Sequence, residues 1–273
     1  MLELFGYTFF NHAILAAILG SITCGIIGTY VVSRRLVFIA GGITHASFGG
    51  LGLGFFLGIN PLLGAGIFAA MTAAGVEAIS GRKKVREDSA IAMAWSFGMA
   101  VGIIFIFLSP GYAPNLMSYL FGSILTVTTG NLIVMAILAI LVSLIFIIFF
   151  YDIQFISFDE EYAKSGGMPV MAVKYMLIIL VAVTSVLYIK VAGIILVLSL
   201  LTIPQNTAML FSKNMKKIIF LSVLFGLSGS VAGLVFSYYF DIPSGASIIF
   251  FLVVIYAIAS IIRRIWDLRN KKS

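Results

Sequence analysis

The sequence predicts an all-α, polytopic helical membrane protein, and three observations carry that prediction. Of its 273 residues, 62% are hydrophobic and only 10% are charged, far outside the composition of water-soluble domains. Apolar runs of about twenty residues recur along the chain, each long enough to cross roughly 30 Å of hydrocarbon as a helix. The formal charge of +7 sits in short segments between those runs. There, basic residues set orientation and do not mark a nucleic-acid surface. No polar segment is long enough for a soluble domain, so residues 1–273 read as one membrane domain. The opening MLELFGYTFFNH has no positive n-region and no small-residue cleavage site, and no cleaved signal is expected. The single cysteine, Cys24, excludes an intrachain disulfide and a cysteine-based metal cluster.

About nine spans are expected. The first covers about 13–33 and ends at Arg34 and Arg35; the second closes at the turn-like Gly58, Asn60 and Pro61. The third, about 62–80, meets GRKKVRED, the densest basic stretch, which the positive-inside rule makes cytoplasmic. Span four, about 89–109, leads to the uncharged and therefore external PGYAPN at 110–115. Residues 116–151 carry no charge and are too many for one span. TVTTGN at 126–131 is the natural break, with a short re-entrant or interfacial helix at 117–125 before it and span five at 131–150 after it.

The segment 151–169 is the longest polar one, cytoplasmic by parity, and holds four of the ten acidic residues. Asp159, Glu160 and Glu161 suit the first turn of a short helix that Gly166 or Gly167 ends and Pro169 stops. A solvated loop is the plainer alternative. Residues 170–213 fit two spans joined tightly near 188–193. Pro204 has no N–H to donate and should open the second near Leu200, with Gln205, Asn206 and Thr207 following at once. Such a break lines a pathway or is a packed kink; either way protein or water must cover the freed carbonyls. KNMKK at 213–217 is cytoplasmic, span eight covers about 218–240, and Asp241 opens an external turn. Span nine, about 246–262, ends in a basic cytoplasmic tail. If one segment near 116–131 or 188–211 is re-entrant, the count becomes eight.

Chemistry concentrates in the second span. His45 lies ten residues past Arg35, roughly 15 Å into the bilayer. A titratable group at that depth points into protein or a water-filled path. Gly42, Ala46, Gly50 and Gly54 fall at every fourth position, a ridge of small residues that lets membrane helices approach closely. Two readings fit His45: a packing residue bonded to a neighbouring carbonyl, or a ligand for a first-row metal. In the second, Thr44 and Ser47 add hydroxyls, and a two-fold axis brings His45 of two subunits together along the ridge. Only two histidines are present, and His12 sits near the outer end of span one, where a mouth role fits better than ligation.

The run RRLVFIAGGITHASFGGLGLGF resembles a segment of bacterial ABC transporter permeases that import zinc, manganese or ferrous iron, which reads close to RR-hydrophobic-FxGDxxSHAxxxGxxLGF. It departs at Gly41, where the family has aspartate one turn before the histidine. Two further stretches resemble the same family. FDEEYAKSGGMP is similar to its FDxExAxxxGxPV, and VAGIILVLSLLTIPQNTAMLFS to its VGxLLVxALLxxPAATAxLLS. The resemblance implies a permease fold of the cobalamin and metal-chelate importer type in the bacterial inner membrane, working as a homodimer. It implies two separate ATP-binding cassette subunits docked at 151–169, with Phe158, Asp159, Glu160, Glu161, Ala163 and Gly167 as coupling residues. An extracytoplasmic metal-binding protein would dock on the outer loops, including Asp241. The chain itself would bind no cofactor; the divalent metal is cargo, zinc favoured over manganese for want of the aspartate, and ATP belongs to the partner.

No G-x-x-x-x-G-K-[ST] and no H-E-x-x-H is present, so neither ATP hydrolysis nor metallopeptidase chemistry is expected. A proton- or sodium-coupled transporter would place ionisable groups within the membrane, and Glu77, near a span end, is the main candidate. A membrane-embedded enzyme would need a catalytic pair that His45 and Ser47 do not supply. A permease for an iron chelate or cobalamin remains the near alternative.

Overall fold

The computed structural model describes residues 6–80, 86–110, 120, 122 and 124–270. Its helices are α1 (Thr8–Ser33), α2 (Val37–Phe56), α3 (Pro61–Ser80), α4 (Glu87–Leu108), α5 (Thr129–Ile148), α6 (Phe150–Phe158), α7 (Glu160–Ser165), α8 (Val170–Leu200), α9 (Ile203–Met209), α10 (Met215–Phe240) and α11 (Ser244–Asn270). Each break follows local chemistry. The α1–α2 corner is made by Arg35 in the left-handed region (φ 59°), with Leu36 N–H returning to Val31 O at 2.8 Å. Pro61 opens α3, and the Thr128 side chain accepts from Asn131 N–H to cap α5.

Two packed groups share α8 as a common wall. In one, α2 is sandwiched between α3 and α4 around Ile43, Phe48, Leu51, Ala65 and Ile106, with Val186 and Ile189 of α8 closing it. In the other, α1 packs with α5 and α10, and α10 with α11, around Ile27, Tyr30, Met135, Leu234 and Leu252. Burial grades outward from the middle: 78% of the α2 span is buried within the chain against 22% of α4. The exposed faces of α4 and α5 carry Phe97, Phe107, Ile137, Leu144 and Ile147, an apolar surface suited to lipid tails or a partner.

Among the described residues, seven helical segments are long and apolar enough to cross a membrane, and α3 is apolar over the shorter Pro61–Val76. The expected nine spans are therefore not matched: α3 falls short of a span, and Val170–Met209 counts once where two were expected. The chain rises through α8 and turns back inside it at Gly193 (φ 76°, ψ 162°). Ile178 and Val181 lie beside Tyr30 and Val31, near the Arg34 end of α1. Tyr188 then reaches Thr23 at 3.0 Å, and the returning Gln205 bonds Cys24 O at 2.7 Å. Finally Met209 and Ser212 lie beside Val32 and Arg35. The returning limb is not one span, because Pro204 opens it after Leu200 and leaves α9 seven residues long.

Gly193 sits in a backbone region that is essentially glycine's alone, and Gly122 is pressed onto it, its notional Cβ only 2.2 Å from the Ala192 carbonyl carbon. Gly193→Ala is expected to lower stability by about 1–3 kcal/mol, read as a fall in Tm of the detergent-solubilised protein. An unchanged Tm would show that the turn tolerates a side chain.

The 117–125 helix falls mostly outside the described residues; Ile124–Thr126 forms a single 3-10 turn. The basic loop at 81–85 and the loop at 111–115 also lie outside them. At 151–169 the structure differs from a solvated loop. After a bend at Phe149 the chain stays helical through α6 and α7.

Candidate functional site

The small-residue ridge of α2 is occupied inside the chain. A Cβ on Gly42 would meet Ile91, Ala46 abuts Gly98, Gly50 lies against Gly64, and Gly54 against Pro61. The ridge thus binds α3 and α4 and is not a surface for a second subunit, which corrects the expectation that it serves the two-fold contact. Small residues were the signal for close approach; which neighbour approaches was not in the pattern.

His45 projects from the same helix. It is 8% exposed and stacks on Trp95 of α4, ring centroids 4.0 Å apart and planes 13° apart. Its Nδ1 is buried with no hydrogen-bond partner among the described residues. Thr44 donates to Ala40 O at 2.7 Å, and its hydroxyl oxygen pairs with Ser185 Oγ of α8 at 3.0 Å. Ser47 donates to Thr44 O at 2.6 Å. The hydroxyls expected beside His45 are therefore engaged within the protein, whereas the imidazole nitrogen is not. A Cβ on Gly41 would make ordinary contact with the Leu198 side chain at 3.5 Å. Trp95 and Ser185 were missed from sequence, since an aromatic or a serine in an apolar run carries no periodic signal. Among the described residues no three His, Cys, Asp or Glu side chains come together.

The structure does not bring Pro204, Gln205, Asn206 and Thr207 to His45; α9 packs against α10, α11 and α1. Gln205 is fully buried and donates to Cys24 O at 2.7 Å and Leu200 O at 3.0 Å. It thereby covers a carbonyl that the Pro204 break frees. Thr207 donates to Ile203 O and Asn206 to Thr202 O. This is the packed-kink alternative. At the far end, His12 Nδ1 lies 3.0 Å from Val127 O. Asp241 is exposed in the left-handed region (φ 52°) at the end of α10.

At the Arg34 end, α7 stands out from the bundle. Asp159 caps it, accepting from Tyr162 N–H at 2.9 Å, and Gly167 takes a left-handed φ of 78° before Pro169. Ala163 is fully buried beneath it. Phe158, Glu161 and Tyr162 face outward, Phe158 72% exposed. Glu160 turns inward. Arg34 donates to the Glu160 carboxylate and to Ile156 O at 2.9 Å; Lys174 of α8 donates to Glu160 at 2.9 Å. Glu160, expected among the coupling residues, is thus held against Arg34 and Lys174 and does not share the exposed face of Phe158, Glu161 and Tyr162. The Lys174 ammonium, aided by Arg34, holds the Glu160 carboxyl below its ordinary value near 4.5. A depressed carboxylate stabilises the fold fully above that value and loses the contribution as pH falls through the lowered one.

The bundle of apolar, membrane-length helices encloses a buried imidazole and exposes a short helix at one end, an arrangement that fits a membrane transport subunit. The chain belongs to the ABC 3 transport family, whose model matches residues 6–263. It is the membrane subunit of an ABC transporter. It is 31% identical over 257 residues to the manganese transport system membrane protein MntC of Halalkalibacterium halodurans, covering 94% of this chain and 88% of that one. Its fold is similar to PsaBC from Streptococcus pneumoniae, solved in complex with a Fab, at a TM-score of 0.85 and 32% identity, covering 93% and 91% of the two chains. A metal-chelate type ABC transporter in an inward-facing conformation shares the fold at a TM-score of 0.72 and 18% identity, over 92% and 85% of the two chains.

Proposed function

We propose that the chain carries a first-row divalent metal ion inward, driven by ATP hydrolysed on separate subunits. The observation that supports this best is His45 Nδ1, a buried side-chain nitrogen without a hydrogen-bond partner among the described residues. Such an atom needs an explanation, and a transient metal ligand supplies one. A full tetrahedral cage would hold zinc too tightly for transport; an imidazole supplemented by water is weak enough to let go.

In the working transporter, two copies of the chain face each other and alternate between outward and inward access. In the observed state each His45 stacks face to face on its own Trp95 and its Nδ1 is buried, so that nitrogen meets a metal only once the packing around it opens. The Arg34 end is cytoplasmic, as is the C-terminus, by the positive-inside rule. Two ATPase subunits dock there on Phe158, Asp159, Glu161, Tyr162 and Gly167, seated by the buried Ala163. A metal-binding protein docks at the opposite end, near Asp241.

Nitrogen ligation without a carboxylate suits zinc better than manganese. Manganese is the second reading, favoured by the manganese transporter MntC among the relatives. Gly41→Asp separates them. Its Cβ meets only the Leu198 side chain, at ordinary contact distance, and the substitution sets a carboxylate one turn from His45. In vesicles offered both metals, the manganese-to-zinc uptake ratio is expected to rise roughly tenfold. A wild-type preference for manganese that Gly41→Asp leaves unchanged would overturn the zinc assignment.

A further inference from the structure

The structure assigns Glu160 a transmission role: one carboxylate ties the ATPase-docking segment to both helices that meet beside His45. The inference rests on the transport reading and concerns a residue outside the outward docking face. Glu160 opens α7, yet its side chain leaves that helix and is held from two sides. Arg34 stands at the α1–α2 corner and grips both Glu160 and Ile156 O, the latter at 2.9 Å near the end of α6. Lys174, in the first turns of α8, holds Glu160 at 2.9 Å. The three side chains are 21%, 33% and 33% exposed, so the cluster is part-shielded and not a free surface pair.

The two arms converge. From Arg34 the chain passes through the left-handed Arg35 directly into α2, which carries Thr44 and His45. From Lys174 the rigid α8 runs to Ser185, whose hydroxyl pairs with that of Thr44 at 3.0 Å. A displacement of α7 is therefore delivered to α2 twice, once at its base and once through α8 at the level of His45. Among the described residues Glu161 has no such ion pair, and it is exposed. Neighbouring carboxylates thus divide the work: Glu161 meets the partner and Glu160 carries the motion inward. Coupling of this kind needs packed, rigid elements linked in series, and α1, α2, α7 and α8 supply them.

The test uses the full complex in sealed vesicles with its ATPase and binding protein. It compares wild type, Glu160→Gln and Lys174→Gln, with Asp267→Asn removing the exposed Arg263–Asp267 pair as a surface control. Metal moved per ATP hydrolysed is expected to fall roughly fivefold to tenfold in both clamp variants. Hydrolysis and co-purification of the ATPase stay near wild type, and Asp267→Asn changes nothing. Uptake and hydrolysis both unchanged in Glu160→Gln would overturn the assignment. So would a joint loss of hydrolysis and co-purification, which would make Glu160 a docking residue.

A spectroscopic label at Leu57→Cys, the exposed far end of α2, reads the motion without any metal. It should answer ATP in wild type and fall silent in Glu160→Gln. A wild-type label that answers ATP in a protein moving no metal would overturn the transport reading and leave the clamp standing. A Glu160→Gln label that still answers would overturn the clamp alone.

Discussion

Gly50→Val is expected to leave no folded protein in the membrane. A Cβ at Gly50 would stand 2.0 Å from the Gly64 carbonyl oxygen and 2.4 Å from its carbon, and one on Gly64 would stand 2.2 Å from the Gly50 oxygen. Both obstacles are backbone, so no side-chain rotation relieves them; α2 and α3 must separate. Separation also lifts Gly54 off Pro61 and strips cover from Ala65 and Leu51. Overpacking of ordinary cores costs about 1–3 kcal/mol, and backbone against backbone belongs at or beyond the top of that range. The yield of monodisperse protein after solubilisation measures it. Gly66→Ala is the comparison, since nothing lies within 4 Å of that position's Cβ, and it should express like wild type. A monodisperse Gly50→Val protein with wild-type Tm would contradict the packing described for α2.

His45→Ala is expected to reduce ATP-driven metal uptake by roughly 10–100-fold or more, the loss typical when metal-site residues are removed. Assembly with the ATPase should survive. The substitution removes a stack on Trp95 worth about 0.5–1.5 kcal/mol and leaves the Gly50–Gly64 and Gly98–Ala46 contacts in place. ATP hydrolysis and co-purification therefore distinguish a lost ligand from a lost fold. If uptake survives, the unpartnered Nδ1 is a tolerated defect and the metal passes elsewhere.

Much of this was legible in the sequence. The length of the apolar runs located most helices to within a few residues, and Pro204 and Pro169 marked real breaks. The four-residue spacing of Gly42, Ala46, Gly50 and Gly54 announced close approach. What it did not say was whether the approaching helix came from the same chain, because a ridge records only the absence of bulk. The turn at Gly193 and the opening at Pro204 fall where the sequence set them, near 188–193 and after Leu200. Hydropathy measures apolar length, and 170–211 has length enough for two spans whether or not the second is continuous. Glu160 and Glu161 are adjacent and chemically alike; only the placement of Arg34 and Lys174, 126 and 14 residues away in sequence, turns one inward. Trp95 over His45 is likewise a product of packing between helices.

The most direct test of the transport assignment is metal accumulation in sealed vesicles that contain the chain, its ATPase and its binding protein, with ATP supplied on the ATPase side. Zinc should accumulate with ATP and not with a non-hydrolysable analogue, and wild type should exceed His45→Ala by the margin given above. Accumulation that needs no ATP would make the chain a secondary transporter, and uptake of an iron chelate or cobalamin without any free metal would contradict the assignment of cargo.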